Sequence, residues 1–404
     1  MMFASRVRKV SPSVTLGLNA RTLELKKQGR DIVALGVGEP DIDTPDAVCE
    51  AGIQAIRNKV ARYTATGGTP ELKGAICKYV KAVYGMDYEA SGVMASSGAK
   101  QVLYNAVMAT VGDGDELIIP TPYWTSYPEM VYLAGATPVF VETTVEDGLK
   151  LTPGKLLAAI TPRTRAILLN SPSNPTGVAY SRTDLEVLAD ILRSRDIWVL
   201  SDDIYCTLMF DGHEFASLAA LPGMRDKTIL INGVSKTFSM TGWRIGFAAG
   251  SKEVIAAMTK IQDHSTSCPN AIAQKAATEA LTVGPSLTES WVLSLSDRRS
   301  LMLALVEQIP GVRAVPPQGA FYLWLNVEAY VGRSGFPKNT LELADDLLVK
   351  AGVGTIPGEA FGAPGFLRLS FAVTEKDIRE GIGRMARHLA SIPGACAPGL
   401  GCAG

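Results

Sequence analysis

The residues best placed to do chemistry lie in one stretch, Lys227–Phe247, which reads KTILINGVSKTFSMTGWRIGF. Its apolar run, Thr228–Ile231, has the make-up of a strand buried on both faces. The chain then turns through Asn232, Gly233 and Val234 and presents Ser235 and Lys236, with Arg244 eight residues further on. A lysine just past a buried strand is costly to desolvate while charged, so its pKa falls and its amine becomes a usable nucleophile and base. Such an amine can hold a carbonyl cofactor as a Schiff base. Ser235 and Arg244 add a hydroxyl and a forked guanidinium, which together suit a phosphate.

Other segments repeat the pattern of an apolar strand followed by polar groups. Trp198–Leu200 leads into SDDIY, which puts Asp202 at a strand end, where a buried carboxylate needs a partner, with Tyr205 three residues on. AILLNSPSNPTG places Asn174 in turn chemistry after a strand. Glu116–Pro120 is followed by Trp124, whose indole either packs in the core or lies flat on an aromatic ligand. In Gly92–Ala109 a strand runs into Ser96-Ser97-Gly98-Ala99-Lys100 and then a helix; small residues at a helix start leave free N–H groups for an anion. This is not a GxxxxGK[ST] loop, which excludes a P-loop. Ile32–Leu35 reads as a short strand before the Gly36, Gly38, Pro40 turn, where backbone can approach a ligand closely. Late in the chain, Arg368 lies in alternating LRLSFA and can clamp a carboxylate through two parallel hydrogen bonds.

Taken together, GEP-D, SGAK, YW, NPTG, D-x-x-Y, SK-x₇-R and the late R-L-S resemble, in order, the motifs of the fold type I pyridoxal-phosphate aminotransferases, in particular the prokaryotic aspartate aminotransferase branch. The resemblance runs from about residue 6 to residue 388. It implies an α/β fold: a large three-layer αβα domain with a mostly parallel sheet and a smaller α+β domain. It implies pyridoxal 5'-phosphate held by Lys236, with the phosphate at Gly98, Ala99, Ser235 and Arg244, Trp124 over the ring, and Asn174 and Tyr205 on its 3-oxygen. Asp202 would keep the ring nitrogen protonated. Gly38 and Arg368 would meet the substrate carboxylate. Lys100 stands either at the phosphate or at the substrate, and with Thr15 and Arg6 it resembles the set that takes a second carboxylate. Tyr63 would cross a homodimer interface to the neighbouring subunit's phosphate, so that two subunits share each site. Two departures stand out: Ser173 where the family usually has Asn, and Asp203 where it commonly has Glu.

The implied activity is ping-pong transamination between L-aspartate, or a similar amino acid, and 2-oxoglutarate, with prephenate as an additional substrate. Transamination of aromatic or other amino acids, carbon–sulfur β-elimination on the same scaffold and a non-catalytic cofactor-binding regulator are the alternatives. The regulator reading would require a basic helix-turn-helix, and none precedes Ile32.

Composition agrees. A chain of 404 residues has room for more than one domain. A formal net charge of −1 argues against a general nucleic-acid or membrane-surface binder. The six cysteines form no C-x-x-C pair and the three histidines complete no zinc spacing, so no metal is expected. Reduced, mostly buried thiols and a cytoplasmic location are the expectation, and no stretch approaches the ~18 apolar residues of a membrane span. The resemblance, with the change to shorter strands after about residue 285, implies an N-terminal arm and part of the small domain over 1–44, the cofactor-binding domain over 45–285 and the small domain over 286–390; the Gly/Pro/Ala-rich tail over 391–404 is expected to be disordered. Within the arm, SRVRKVSPSVT reads as extended and Leu18–Gln28 as helical. A helical connection of about twenty to thirty residues is expected from near Pro285.

Overall fold

The structure, a computed structural model, describes residues 3–392. The expected tail from residue 393 onward, with Cys396 and Cys402, lies outside the described residues.

The described residues form thirteen strands, β1 to β13 in chain order. β1 is the two-residue Val33–Ala34. Seven strands make the central sheet: β2 (Val93–Ser96), β3 (Glu116–Thr121), β4 (Thr137–Glu142), β5 (Thr164–Asn170), β6 (Trp198–Asp202), β7 (Thr228–Gly233) and β8 (Gly246–Ala249). Their order is β2-β8-β7-β6-β5-β3-β4. β8 pairs antiparallel with both neighbours, and every other pairing is parallel. β7 is buried at every residue, as its apolar run predicts. It extends two residues beyond Ile231, because Asn232 and Gly233 still pair with Phe247 and Gly246 of β8.

Both faces of the sheet are covered. On one, Val102, Leu103, Ala106 and Val107 of the helix Ala99–Thr110 pack with Ile229, Ile231 and Ala248. On the other, Leu185, Leu188 and Leu192 of the helix Arg182–Arg193 pack on Ile167, Leu169 and Val199. Each such buried side chain contributes about 1.5–3 kcal/mol against the entropy of ordering the chain. The helix Arg182–Arg193 begins at a reciprocal cap. Ser181 accepts from Asp184 N–H, and the Asp184 carboxylate accepts from Ser181 N–H, which fixes the start.

A second, antiparallel sheet runs β12-β13-β10-β9, built from β9 (Arg313–Val315), β10 (Tyr322–Asn326), β12 (Ile356–Pro357) and β13 (Phe366–Ser370). β11 (Val353–Gly354) pairs in parallel with β1, tying the early GEP-D segment to the C-terminal part of the chain. The helix that follows Pro285 is Glu289–Val306, 18 residues, somewhat shorter than expected.

Two expectations need correcting. The arm is not wholly extended: Ser5–Lys9 is helical, and the next helix, Val14–Lys27, starts four residues early because Ser13 accepts from Leu16 N–H. The thiols are not mostly buried either. Among the described residues all four cysteines are free, but only Cys206 is buried; Cys49, Cys77 and Cys268 are half-exposed.

Candidate active site

Parallel strands put their carboxyl ends on one edge, and ligands in open α/β sheets bind outside that edge. The register pairs Asn170 with Asp202 and Asp202 with Ile231, so the turns after β5, β6 and β7 open side by side. Above them lies a cavity of about 590 Å³ lined by Gly38, Ala99, Lys100, Trp124, Asn174, Asp202, Tyr205, Ser235, Lys236, Arg244, Arg368 and Thr15.

Lys236 sits in a single helical turn, Val234–Thr237, directly after β7. Its Nζ donates to the Gly38 carbonyl at 2.6 Å. Burial pushes the amine pKa down to about 8; Glu39 opposes that shift, and Arg368 and Arg244 add to it.

Asp202 ends β6. Its Oδ2 accepts from the Tyr127 hydroxyl at 2.6 Å and its Oδ1 from Ile204 N–H at 3.4 Å. Burial raises the carboxyl to about 6 against those hydrogen bonds and the charge of Lys236. Asp203 faces elsewhere. It accepts from the Ser201 and Ser217 hydroxyls and is held up at about 8, again by burial.

Asn170 supports the floor, donating from Nδ2 to the Asp202 carbonyl at 2.7 Å and accepting from Asn174 N–H at 2.8 Å. Asn174 Oδ1 accepts from Arg368 Nη1 at 2.8 Å, which leaves its Nδ2 as the donor toward a ligand. Arg368, on β13, also donates from Nη2 to the Gly36 carbonyl at 2.8 Å, and its guanidinium lies against the rings of Tyr322 and Phe361. Burial lowers its pKa. Its buried Nε has no partner among the described residues, an open donor of the kind an anionic ligand satisfies.

One end of the cavity is a cradle. Gly98, at φ +91°, precedes the helix Ala99–Thr110, and a Cβ there would lie 2.5 Å from Arg244 Nη2. The first N–H groups of that helix have no intrahelical acceptor. Arg244, itself left-handed at φ 58°, is oriented by bonds from Nη1 to the Thr241 carbonyl and from Nη2 to the Ser97 carbonyl. Ser235 is buried beside it. Gly98 lets Arg244 lie against the helix start, and the free N–H groups there with the Ser235 hydroxyl fit a phosphorylated ligand.

Trp124 is half-buried, edge-on to Tyr127, with Lys100 Nζ 4.9 Å from its ring centroid. Partial desolvation of the cavity wall, then Arg244, lower the Lys100 pKa. Thr15 reaches the cavity from the helix Val14–Lys27, and its hydroxyl meets that of Ser13 at 3.0 Å.

Two expected residues lie elsewhere. Arg6, on the helix Ser5–Lys9, is exposed and does not line the cavity. Tyr63 is 95% exposed and stands outside the cavity of its own chain. Four cavity-side residues escaped sequence reasoning: Asn170, Tyr127, Glu39 and Tyr322. Asn170 alone carried a usable signal, as the polar end of an apolar strand. Tyr127 and Tyr322 reach the site only through helix packing and cross-sheet pairing.

An α/β scaffold that brings a buried lysine, a buried carboxyl and an arginine-backed helix start to one cavity suits a pyridoxal-phosphate enzyme. Comparison with known proteins places it more closely. Residues 30–385 match the family described as Aminotransferase class I and II. The chain is 44% identical to the aspartate/prephenate aminotransferase of Cereibacter sphaeroides, over 95% of this chain and 98% of that one. The crystal structure of the Rhizobium meliloti aspartate aminotransferase superposes with a TM-score of 0.92 at 41% identity, covering 96% of this chain and 99% of that one. The Thermus thermophilus aspartate aminotransferase with maleate gives 0.90 at 39% identity, over 96% and 100%. The chain belongs to the class I and II aminotransferases. It is a transaminase, and its cofactor is pyridoxal phosphate.

Proposed function

We propose that the protein moves an amino group between L-aspartate and 2-oxoglutarate in a ping-pong cycle. The observation that carries this reading is the charge arrangement of one cavity. Arg368 and Lys100 both line it with Lys236, giving a dicarboxylic substrate one cation for each end. The names of the relatives, including one with maleate, a dicarboxylate, point the same way. Prephenate is a second oxo acid to test, on the strength of the Cereibacter sphaeroides relative.

Bound pyridoxal phosphate supplies an electron sink for charge developing at the substrate Cα. Around it the chain supplies position and protons. Arg368 fixes the α-carboxylate with Gly38 and Asn174 beside it, and Lys100 with Thr15 takes the side-chain carboxylate. The neutral amine of Lys236 removes the Cα proton; an amine with its pKa near 8 is a competent base close to neutral pH. Asp202 would meet the ring nitrogen as a carboxylate, because a cation there would offset the burial that otherwise raises its pKa. Asn174 and Tyr205 would donate to the ring oxygen, Trp124 would cover the ring, and Gly98, Ala99, Ser235 and Arg244 would hold the phosphate.

The functional unit in this proposal is a homodimer in the cytoplasm. Exposed Ile53, Ile56 and Tyr63 offer a second copy an apolar face, with Tyr63 completing the neighbour's phosphate site. No helix among the described residues is long and apolar enough to cross a membrane. The division into residues 1–44 with 286–390 and 45–285 is part of the same proposal.

The test is the absorbance of the purified holoenzyme titrated with L-aspartate and no oxo acid. Stoichiometric conversion of the cofactor band to that of pyridoxamine phosphate is expected. A band that aspartate leaves unchanged would overturn the substrate.

A further inference from the structure

Tyr322 opens β10 and is almost wholly buried, yet its hydroxyl reaches the cavity. It touches two groups that the proposed function assigns to different ligands. Its hydroxyl lies 2.9 Å from that of Tyr205, the rings meeting edge-on. Its ring lies under Arg368, whose Cζ is 4.4 Å from the centroid. The approach depends on Gly38, where a Cβ would come within 3.0 Å of the Tyr322 hydroxyl.

Each phenol has one proton, so in this pair one hydroxyl donates and the other accepts. The surroundings decide which. The Arg368 cation works against burial at Tyr322 and makes its phenol the more willing donor. Burial raises Tyr205 further than Tyr322, and there the carboxyl of Asp202 works against the Arg368 cation, so the Tyr205 oxygen is the accepting one. The remaining charged groups around the pair are Lys236, Arg244 and Glu39.

We propose that Tyr322 is a positioning residue for Tyr205: it donates to Tyr205 Oη and thereby turns the proton of Tyr205 into the cavity, toward the oxygen that the cofactor presents. The proposal rests on the reading that Tyr205 faces that oxygen. A hydroxyl that accepts one hydrogen bond donates a stronger one. The pair therefore favours the anionic ring oxygen and lowers the pH at which the bound cofactor changes colour.

The test titrates the absorbance of holoenzyme variants against pH. Tyr205→Phe is expected to raise the midpoint by about one pH unit, the equivalent of a lost hydrogen bond to a charged group. Tyr322→Phe is expected to raise it by roughly half as much, and the double variant no further than Tyr205→Phe alone. Because the ring under Arg368 remains, the KM for 2-oxoglutarate should change less than about threefold. A Tyr322→Phe midpoint equal to the parent's, beside a shifted Tyr205→Phe, would overturn the proposal; so would shifts that simply add in the double variant. An unmoved Tyr205→Phe would remove the reading of Tyr205 itself.

Discussion

The floor and the roof of the cavity are built on different principles. The floor is the carboxyl edge of the parallel strands, where Asp202, Asn174 and Lys236 are tied to backbone or to buried hydroxyls and amides. The roof is the helix Val14–Lys27, whose Leu16 and Leu23 are 63% and 60% exposed although both border the cavity. Groups fixed before a ligand arrives suit proton transfer and charge stabilisation, which gain from preorganisation. A lightly packed helix suits substrate choice, because few contacts oppose its adjustment. Chemistry should therefore fail when the floor is altered, and selectivity when the roof is.

The sharpest break is at Lys236. Lys236→Ala should lower kcat/KM by about 10⁴-fold or more, since it removes both nucleophile and base. The thermal stability of the cofactor-free protein should not fall, because a buried amine contributes no net stability. A loss below about tenfold would place the base elsewhere on the floor. Arg368→Gln comes next: losing two charge-assisted hydrogen bonds should cost about 10²-fold or more in KM, for amino and oxo acids alike. An effect on one substrate only would move Arg368 from the shared carboxylate to a side-chain subsite.

The floor also predicts a pH signature. Burial holds Asp202 at about 6 and Asp203 at about 8. An unfolded chain titrates its carboxyls near ~4. Above that pH the folded cofactor-free protein keeps protons that the unfolded chain has lost, so stability falls as pH rises, through about 6 for Asp202 and about 8 for Asp203. Asp203→Asn should flatten the decline between about pH 6 and 8, worth a few degrees in thermal unfolding, with little change in the cofactor spectrum. A decline that persists in the variant would assign it to another group. The roof should respond differently again. Thr15→Ala is expected to lower kcat/KM for aspartate by about tenfold, the value of one hydrogen bond to a charged group, and to leave alanine unaffected. Equal losses on both substrates would dissolve the distinction between floor and roof.

The same division explains what could be read from the sequence. Lys236, Asp202 and Asn174 each follow an apolar run, and strand patterning alone sends such residues to one edge of a sheet. Gly98 was legible because a glycine before a helix has a physical reason to be there: its positive φ and the space it leaves for Arg244. The Tyr205–Tyr322 contact spans 117 positions and follows from how the second sheet meets the first, which local patterning does not encode. Tyr127 was hidden for a similar reason, since its partner Asp202 lies 75 positions away. On the roof, Thr15 lines the cavity and Arg6 does not. The short helix Ser5–Lys9, invisible in a Ser/Pro-punctuated stretch, leaves that side chain exposed and outside the cavity lining.

Tyr63 gives the smallest expected effect and the most local one. It belongs neither to the floor nor to the roof of its own chain; at 95% exposure it has nothing to lose there. Tyr63→Phe should therefore leave the thermal unfolding of the cofactor-free protein unchanged when measured dilute. If the side chain completes a neighbouring copy's phosphate site, the same variant should weaken pyridoxal phosphate binding by about three- to tenfold, the worth of one hydrogen bond to a charged oxygen. The deficit should appear only at concentrations where the protein runs as a dimer. Mixing Tyr63→Phe with Lys236→Ala subunits sharpens the measurement. In a mixed dimer the only lysine-bearing site lies in the Tyr63→Phe subunit and receives an intact Tyr63 from its neighbour, so cofactor affinity there should return to the parent value. Affinity that stays low in the mixed dimer would confine the role of Tyr63 to its own chain.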